Sequence, residues 1–197
     1  MDFHNFDRLV TQARTFRRFN SSVTVDSRTL RELIELARLS PSSRNMQPLK
    51  YIPVNQVAVR ESLFGCLKWA GALEDWSGPS ESERPGGYII ILGDTSISPG
   101  FSCDHGIVAQ TMKLGAQVRG LGSCILGSVD RERVRELFNI DKRYEILLLL
   151  ALGEPAEDVM IEPLPKDGNI NYWRDDNDVH HVPKRSLEEI ILKEVVE

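Results

Sequence analysis

Arg14, Arg17 and Arg18 crowd the short segment RTFRRFN, and Lys184 and Arg185 stand side by side immediately before Ser186. Cations grouped in this way suit an anion. The first three follow an apolar helical pattern; positive charge favours the C-terminal end of a helix dipole, so a solvated basic turn is the plainer use of them. Lys184 and Arg185 precede a serine that can cap a helix. They therefore lie near unpaired backbone N–H groups and the positive end of the dipole, a second setting for an anion. A phosphomonoester carrying about −1.5 to −2 charges can draw on both places if folding brings them together.

The stretch SPSSRNMQPL supplies the hydroxyls of Ser42 and Ser43 and the paired donor and acceptor amides of Asn45 and Gln47. These groups suit a flat heterocycle with a polar edge, and equally a turn satisfied by its own side chains. In RGLGSCILGS, Arg119 to Ser128, Ile125 stands where a dinucleotide fingerprint requires its third glycine, and the run leaves a helix instead of opening one. Its alternative use is to let backbone amides at Leu126 and Gly127 approach a ligand closely. There is no Walker A lysine motif. His180 and His181 are adjacent and point apart, while His4 and His105 are isolated, so no metal site is expected and all four read as surface or partly buried. Cys124, in an apolar context without a neighbouring base, reads as a structural thiol. Trp69, Trp76 and Trp173 read as core residues, with Trp76 also placed to cover a flat ligand.

Composition narrows the class. With 197 residues, 41% hydrophobic and 27% charged, the chain has the size of one globular domain spanning 1–197 and enough apolar material for a core. A net charge of −5 argues against a general nucleic-acid binder, which needs surplus cations to neutralise phosphates. Cys66, Cys103 and Cys124 are odd in number and lack CxxC spacing, which points to reduced thiols and a cytoplasmic setting. The opening MDFHNFDRLV carries Asp2 and Asp7, unlike a signal peptide, and the longest apolar run, Ile146 to Leu152, is too short to span a bilayer.

The elements that must position these residues follow from periodicity. Phe3, Phe6, Leu9, Val10 and Ala13 predict an amphipathic helix to about Arg14. Asp26 can cap a second helix burying Leu30, Leu33, Ile34 and Ala37 and ending before Pro41. Leu49 to Val54 reads as a strand placed at an edge or bend by Pro53. Ala58 to Glu74 reads as mainly helical, Ser77 to Gly87 as a loop, and YIIIL after it as a buried strand. Asp104 can cap a helix through Val118 that stops at the glycines of RGLGS. Cys124 to Leu126 reads as a short strand, Asp130 as the cap of a helix ending near Phe138, and EILLLLALG as the most hydrophobic strand. SLEEIILKEVV opens with Ser186 and Glu189 in capping-box spacing and reads as a helix. Without a regular βαβ rhythm, the expected fold is α+β, a sheet flanked by helices.

Taken in order, RTFRRF, PSSRNMQP, LGSCILGS, ALGEP and VPKRSLEEII resemble the nitroreductase family of FMN-dependent flavoproteins, and together these motifs cover nearly the whole chain. The resemblance implies a central, mainly antiparallel sheet in a domain-swapped homodimer, with two FMN sites built from both chains. It implies that Arg14, Thr15 and Arg17 hold phosphate, ribityl and the pyrimidine side of the ring, and that Lys184 and Arg185 hold the phosphate. Ser42, Ser43 and Asn45, with Gln47 a lesser member, would come from the partner subunit, and Leu126 and Gly127 would set a backbone amide against flavin N5. The chain departs from the family pattern in having Ala13 where a further arginine often stands and Leu49 in place of a tryptophan. It also lacks a long insertion between the central helices.

The activity so implied is transfer of hydride from NADH or NADPH to an electron-poor small-molecule acceptor, a nitroaromatic or quinone, by a ping-pong route that requires no side-chain acid, base or nucleophile. Dehalogenation, flavin chemistry, or a flavin-binding sensor that does not turn over are the alternatives.

Overall fold

The computed structural model describes residues 2–73 and 75–196. Leu49–Val54 (β1), Gly87–Asp94 (β2), Gly122–Leu126 (β3) and Tyr144–Gly153 (β4) form an antiparallel sheet in the order β1-β2-β4-β3. Val159–Pro163 (β5), Trp173–Arg174 (β6) and His180–Lys184 (β7) form a second, smaller sheet in which β7 runs parallel to β5 and antiparallel to β6. The described residues also form six α-helices, Phe3–Gln12 (α1), Ser27–Arg38 (α2), Val57–Phe64 (α3), Asp104–Val118 (α4), Arg131–Phe138 (α5) and Leu187–Ile190 (α6), and short 3-10 turns at Ser43–Asn45 and Glu81–Glu83. The α+β architecture matches the expectation.

The unbroken apolar run of β2 follows from its position. All eight of its residues are buried, because helices cover both faces of the sheet. Side chains alternate across a strand. Ile89 and Ile91 pack with Leu30, Leu33, Val108 and Met112 of α2 and α4, whereas Tyr88, Ile90 and Leu92 pack with Leu63 of α3 and Val134 of α5 on the other side. Each fully buried aliphatic side chain stabilises by roughly 1.5–3 kcal/mol. The result is a rigid slab against which α4 is fixed. Pro53 is tolerated because β1 lies at the sheet edge, opposite Ile89.

Four local expectations are corrected. Helix α3 stops at Phe64, not near Glu74, a residue outside the described ones. Beyond Gly65 the backbone bonds to another segment: Lys68 N–H donates to the Ser128 carbonyl at 3.0 Å and Asp130 N–H to that of Cys66 at 2.8 Å. The last helix covers only Leu187–Ile190. Ser186 accepts from Glu189 N–H at 3.2 Å as expected, but Leu192, Val195 and Val196 are exposed, and a short helix without a packed face is marginal in water. Asp104 does not cap α4; the N-cap is Cys103, and the Asp104 carboxylate reaches Ser42 and Ser43. The second sheet was not anticipated, since β6 has two residues and β7 carries Pro183.

The junction before β2 is tight. A Cβ on Gly86 would stand 2.2 Å from the Val23 carbonyl oxygen, where real Cβ contacts do not occur, whereas one on Gly100 would meet nothing within 4 Å. Gly86→Ala is expected to cost about 1–3 kcal/mol in urea unfolding, and Gly100→Ala to stay within about 0.5 kcal/mol of the parent.

Candidate functional site

The segment after α1 is threaded along β3. Thr15 bridges Ser123 in parallel, Phe16 N–H donates to the Ser123 carbonyl at 3.0 Å, and Phe19 is fully buried opposite Pro155. With the backbone pinned this way, Ala13, Arg14, Thr15 and Arg17 line a cavity of about 220 Å³, shared with Gln110 and Lys113 of α4, with Tyr172, and with Val182 and Lys184 of β7. The fold thus brings Arg14, Thr15 and Arg17 together with Lys184 from the other end of the chain. Among the described residues four cations line this space and no carboxylate does.

Three of the four, Arg14, Arg17 and Lys113, are held by neutral groups. Arg14 donates from Nη2 to the Val10 carbonyl at 2.7 Å, while its buried Nε has no partner; burial lowers its pKa below the ordinary arginine value. Arg17 lies with Nη1 3.0 Å from His180 Nε2 and its guanidinium 4.4 Å from the centre of the Tyr172 ring. Lys113, 6% exposed, donates to the carbonyls of Arg14 and Ser123. Burial, with Arg14 and Arg17 adding, brings the Lys113 pKa down to about 8. The nearby Cys124 thiol is pushed up to about 11 by burial, which keeps it protonated and fits the structural role expected of it.

Glu157, a carboxylate behind the loop that carries Arg17, is already engaged. Its side chain, 1% exposed, accepts from the backbone N–H groups of Arg17 and Arg18 and from Arg174 Nη2 at 2.8 Å, so it shapes the loop from behind. Arg18 turns away to Glu83 at 3.2 Å and Asp178 at 3.1 Å. Arg185 likewise leaves the group and pairs with Glu189. Alternation along β7 explains the split: His180, Val182 and Lys184 share one side and Arg185 lies past the strand end.

His180 corrects the reading of the histidines as surface or partly buried, since it is 0% exposed. Desolvation, with the positive charge of Arg17 next, pulls its pKa down to about 4, so the ring is neutral near pH 7. Because Arg17 can only donate, Nε2 must accept and the proton sits on Nδ1, which is buried without a partner. His181, pointing the other way, stacks on Trp173 and pairs with Glu162 and Asp175. Lys113, His180 and Tyr172 were missed in the sequence. Lys113 had a signal, because it continues the buried stripe of Ala109, Met112 and Ala116 on α4.

The polar turn occupies another place. Ser42 and Gln47 line a separate depression of about 220 Å³ with Ser40, Leu49, Tyr51 and Asp104. Asp104 accepts from Ser42 Oγ at 2.6 Å and Ser43 N–H at 3.0 Å, and Ser42 Oγ accepts from Gln47 N–H at 2.9 Å. Arg44, Asn45 and Gln47 all adopt left-handed backbone, with φ of 51°, 55° and 51°, and Asn45 is exposed. Asp104 and Lys113 are nine residues apart on α4, which separates the two cavities by about 14 Å along the helix. Leu126, buried at the end of β3, and the exposed Gly127 after it line neither cavity.

A family model described as "Nitroreductase family" matches residues 10–82 and 87–154. The chain is 28% identical over 181 residues to an "Oxygen-insensitive NADPH nitroreductase" of Helicobacter pylori, covering 75% of this chain and 86% of that protein. It is 28% identical over 173 residues to an "NADH dehydrogenase" of Thermus thermophilus, covering 74% and 84% respectively. Among solved structures, a nitroreductase family protein from Streptococcus pneumoniae superposes with a TM-score of 0.69 at 20% identity, covering 96% of this chain and all of that one. An "FMN-dependent Nitroreductase" from Clostridium difficile superposes with a TM-score of 0.61 at 21% identity, over 76% and 87%.

The buried imidazole has a measurable consequence. With its folded pKa at about 4, below the ordinary 6.5, the unfolded chain binds more protons between these values; the stability associated with neutral His180 is therefore complete above pH 6.5 and lost as pH falls toward 4. His180→Gln keeps an acceptor for Arg17 and does not titrate. Urea unfolding at pH 7 and pH 4.5 is expected to show wild type losing more stability than the variant on acidification, with the opposite shift of His181 common to both proteins.

Proposed function

The chain belongs to the nitroreductase family, and from that premise we propose that it is an FMN-dependent oxidoreductase taking hydride from NADH or NADPH and reducing an electron-poor acceptor such as a nitroaromatic or quinone. The observation that carries this reading is the cavity lined by Arg14, Arg17, Lys113 and Lys184, four cations drawn from three parts of the chain with no carboxylate among them in the described residues. That donor set fits a phosphomonoester. The buried, unpartnered Nε–H of Arg14 is a further donor lacking an acceptor, a condition that costs about 1–3 kcal/mol until an anion relieves it.

When bound, the flavin supplies the hydride chemistry. The protein's part is to hold and orient. Arg14, Thr15, Arg17 and Lys184 take the phosphate, ribityl and pyrimidine side in this reading. His180 and Tyr172 fix the Arg17 guanidinium beforehand, so its charge is already placed for an electron-rich ring edge and little reorganisation is needed. Arg185, engaged with Glu189, contributes less than Lys184.

Ser42, Ser43, Asn45 and Gln47 complete the site from a second copy of the chain, with Leu126 and Gly127 presenting backbone amides to the ring. Two features favour a homodimer. The polar turn is held ready by Asp104 yet opens on a different cavity from the cations of its own chain. Apolar side chains of α1 (Phe3, Phe6 and Val10) and of the last segment (Leu187, Leu192 and Val195) are exposed in a single copy, as an unfilled interface would be.

Freshly purified protein is expected to be yellow, to bleach anaerobically with NADH or NADPH, and to recolour with a nitroaromatic. Colourless, folded protein that takes up no FMN would refute the cofactor, and bound flavin that stays oxidised with both donors would refute turnover. Lys184→Ala is expected to weaken FMN binding roughly 10- to 100-fold, the worth of one charge-assisted hydrogen bond. Arg185→Ala is expected to change it less than about threefold, both measured by quenching of flavin fluorescence.

A further inference from the structure

We propose that Lys113 is a further anion-binding residue of this cavity, contacting the phosphate of FMN through Nζ and making retention of the cofactor depend on proton concentration. The proposal rests on the FMN reading above. Lysine is almost never fully buried without a partner. Lys113 nevertheless sits on the apolar stripe of α4 among Ala109, Met112 and Ala116, is 6% exposed, and has no carboxylate within ion-pair distance among the described residues. An ammonium has three N–H donors. Two meet the Arg14 and Ser123 carbonyls, which leaves one for the cavity that Lys113 lines.

The surroundings of this ammonium are positive or neutral on every side. Arg14 and Arg17 approach from the loop after α1, Lys184 from β7, the protonated Cys124 from β3, and Tyr172 and Gln110 complete the lining. Glu157 is committed to the backbone of Arg17 and Arg18 and to Arg174. Among the described residues Lys113 meets only neutral acceptors, the two carbonyls, and no carboxylate pairs with it, whereas a phosphate dianion in the cavity would neutralise its charge. Free protein at pH 8 therefore carries Lys113 roughly half protonated, and binding of the dianion draws it to the charged form. If only the ammonium contributes, FMN affinity falls about tenfold between pH 7 and pH 9.

Flavin-free protein titrated with FMN and with riboflavin, which lacks the phosphate, tests this by fluorescence quenching. For wild type, FMN binding is expected to weaken about tenfold from pH 7 to pH 9 while riboflavin binding stays level. Lys113→Met is expected to bind FMN at least about tenfold more weakly at pH 7 with no further loss at pH 9, and Lys113→Arg to hold FMN equally at both. An indicator dye should register uptake of roughly half a proton per FMN bound to wild type at pH 8, and none with riboflavin. The phosphate, with its second pKa near 6, is already a dianion there. This last measurement needs no variant to fold. FMN binding that is independent of pH with no proton uptake overturns the role of Lys113 and leaves the FMN reading standing. Wild type that takes up no FMN at either pH overturns both.

Discussion

Like charges gathered in one small cavity repel, and a fold that gathers them must hold each by something other than a counter-ion. Here the holders are neutral: the Val10 carbonyl for Arg14, a neutral imidazole and an aromatic face for Arg17, and two carbonyls for Lys113. Carboxylates are spent elsewhere. Glu157 grips the backbone, and Glu83, Asp178 and Glu189 neutralise the arginines that point away. The cavity therefore keeps a positive field that no carboxylate in its lining compensates, among part-buried side chains where a charge–charge interaction is stronger than in bulk water.

That arrangement depends on rigidity supplied by the core. A sheet buried on both faces fixes α4 on one side, and α4 in turn carries Asp104 at its start and Lys113 further along. One helix thus sets both the polar turn and the cationic cavity. The smaller sheet does the equivalent for the end of the chain, where pairing of β7 with β5 aligns His180, Val182 and Lys184 toward the loop after α1. Both sheets thereby remove freedom from long cationic side chains.

The sequence carried the main sheet and most helices because their signals were local: alternation or continuous apolar runs for β1, β2 and β4, and Asp26 and Asp130 as caps for α2 and α5. It carried Arg14, Thr15, Arg17 and Lys184 as separate hints, since their types and flanking elements were visible but their meeting was not. What escaped was set by tertiary contact. Helix α3 ends where backbone bonds to Ser128 and Asp130 replace its own, and α6 stops after one turn because no surface packs against Leu192 or Val195. His180 read as a surface or partly buried histidine until β7 turned its imidazole inward, and Lys113 was legible only through its place on the buried stripe of α4.

Arg44, Asn45 and Gln47 hold positive φ without being glycine, a conformation that costs an ordinary L-residue roughly 1–2 kcal/mol. Glycine at Arg44 or Gln47 would ease that torsional load and toughen the turn, at the expense of the side chains projecting from it. If the turn serves the flavin as proposed, thermostabilisation and ligand selectivity pull in opposite directions across these few residues, and an engineer who optimises one by melting temperature alone will erode the other.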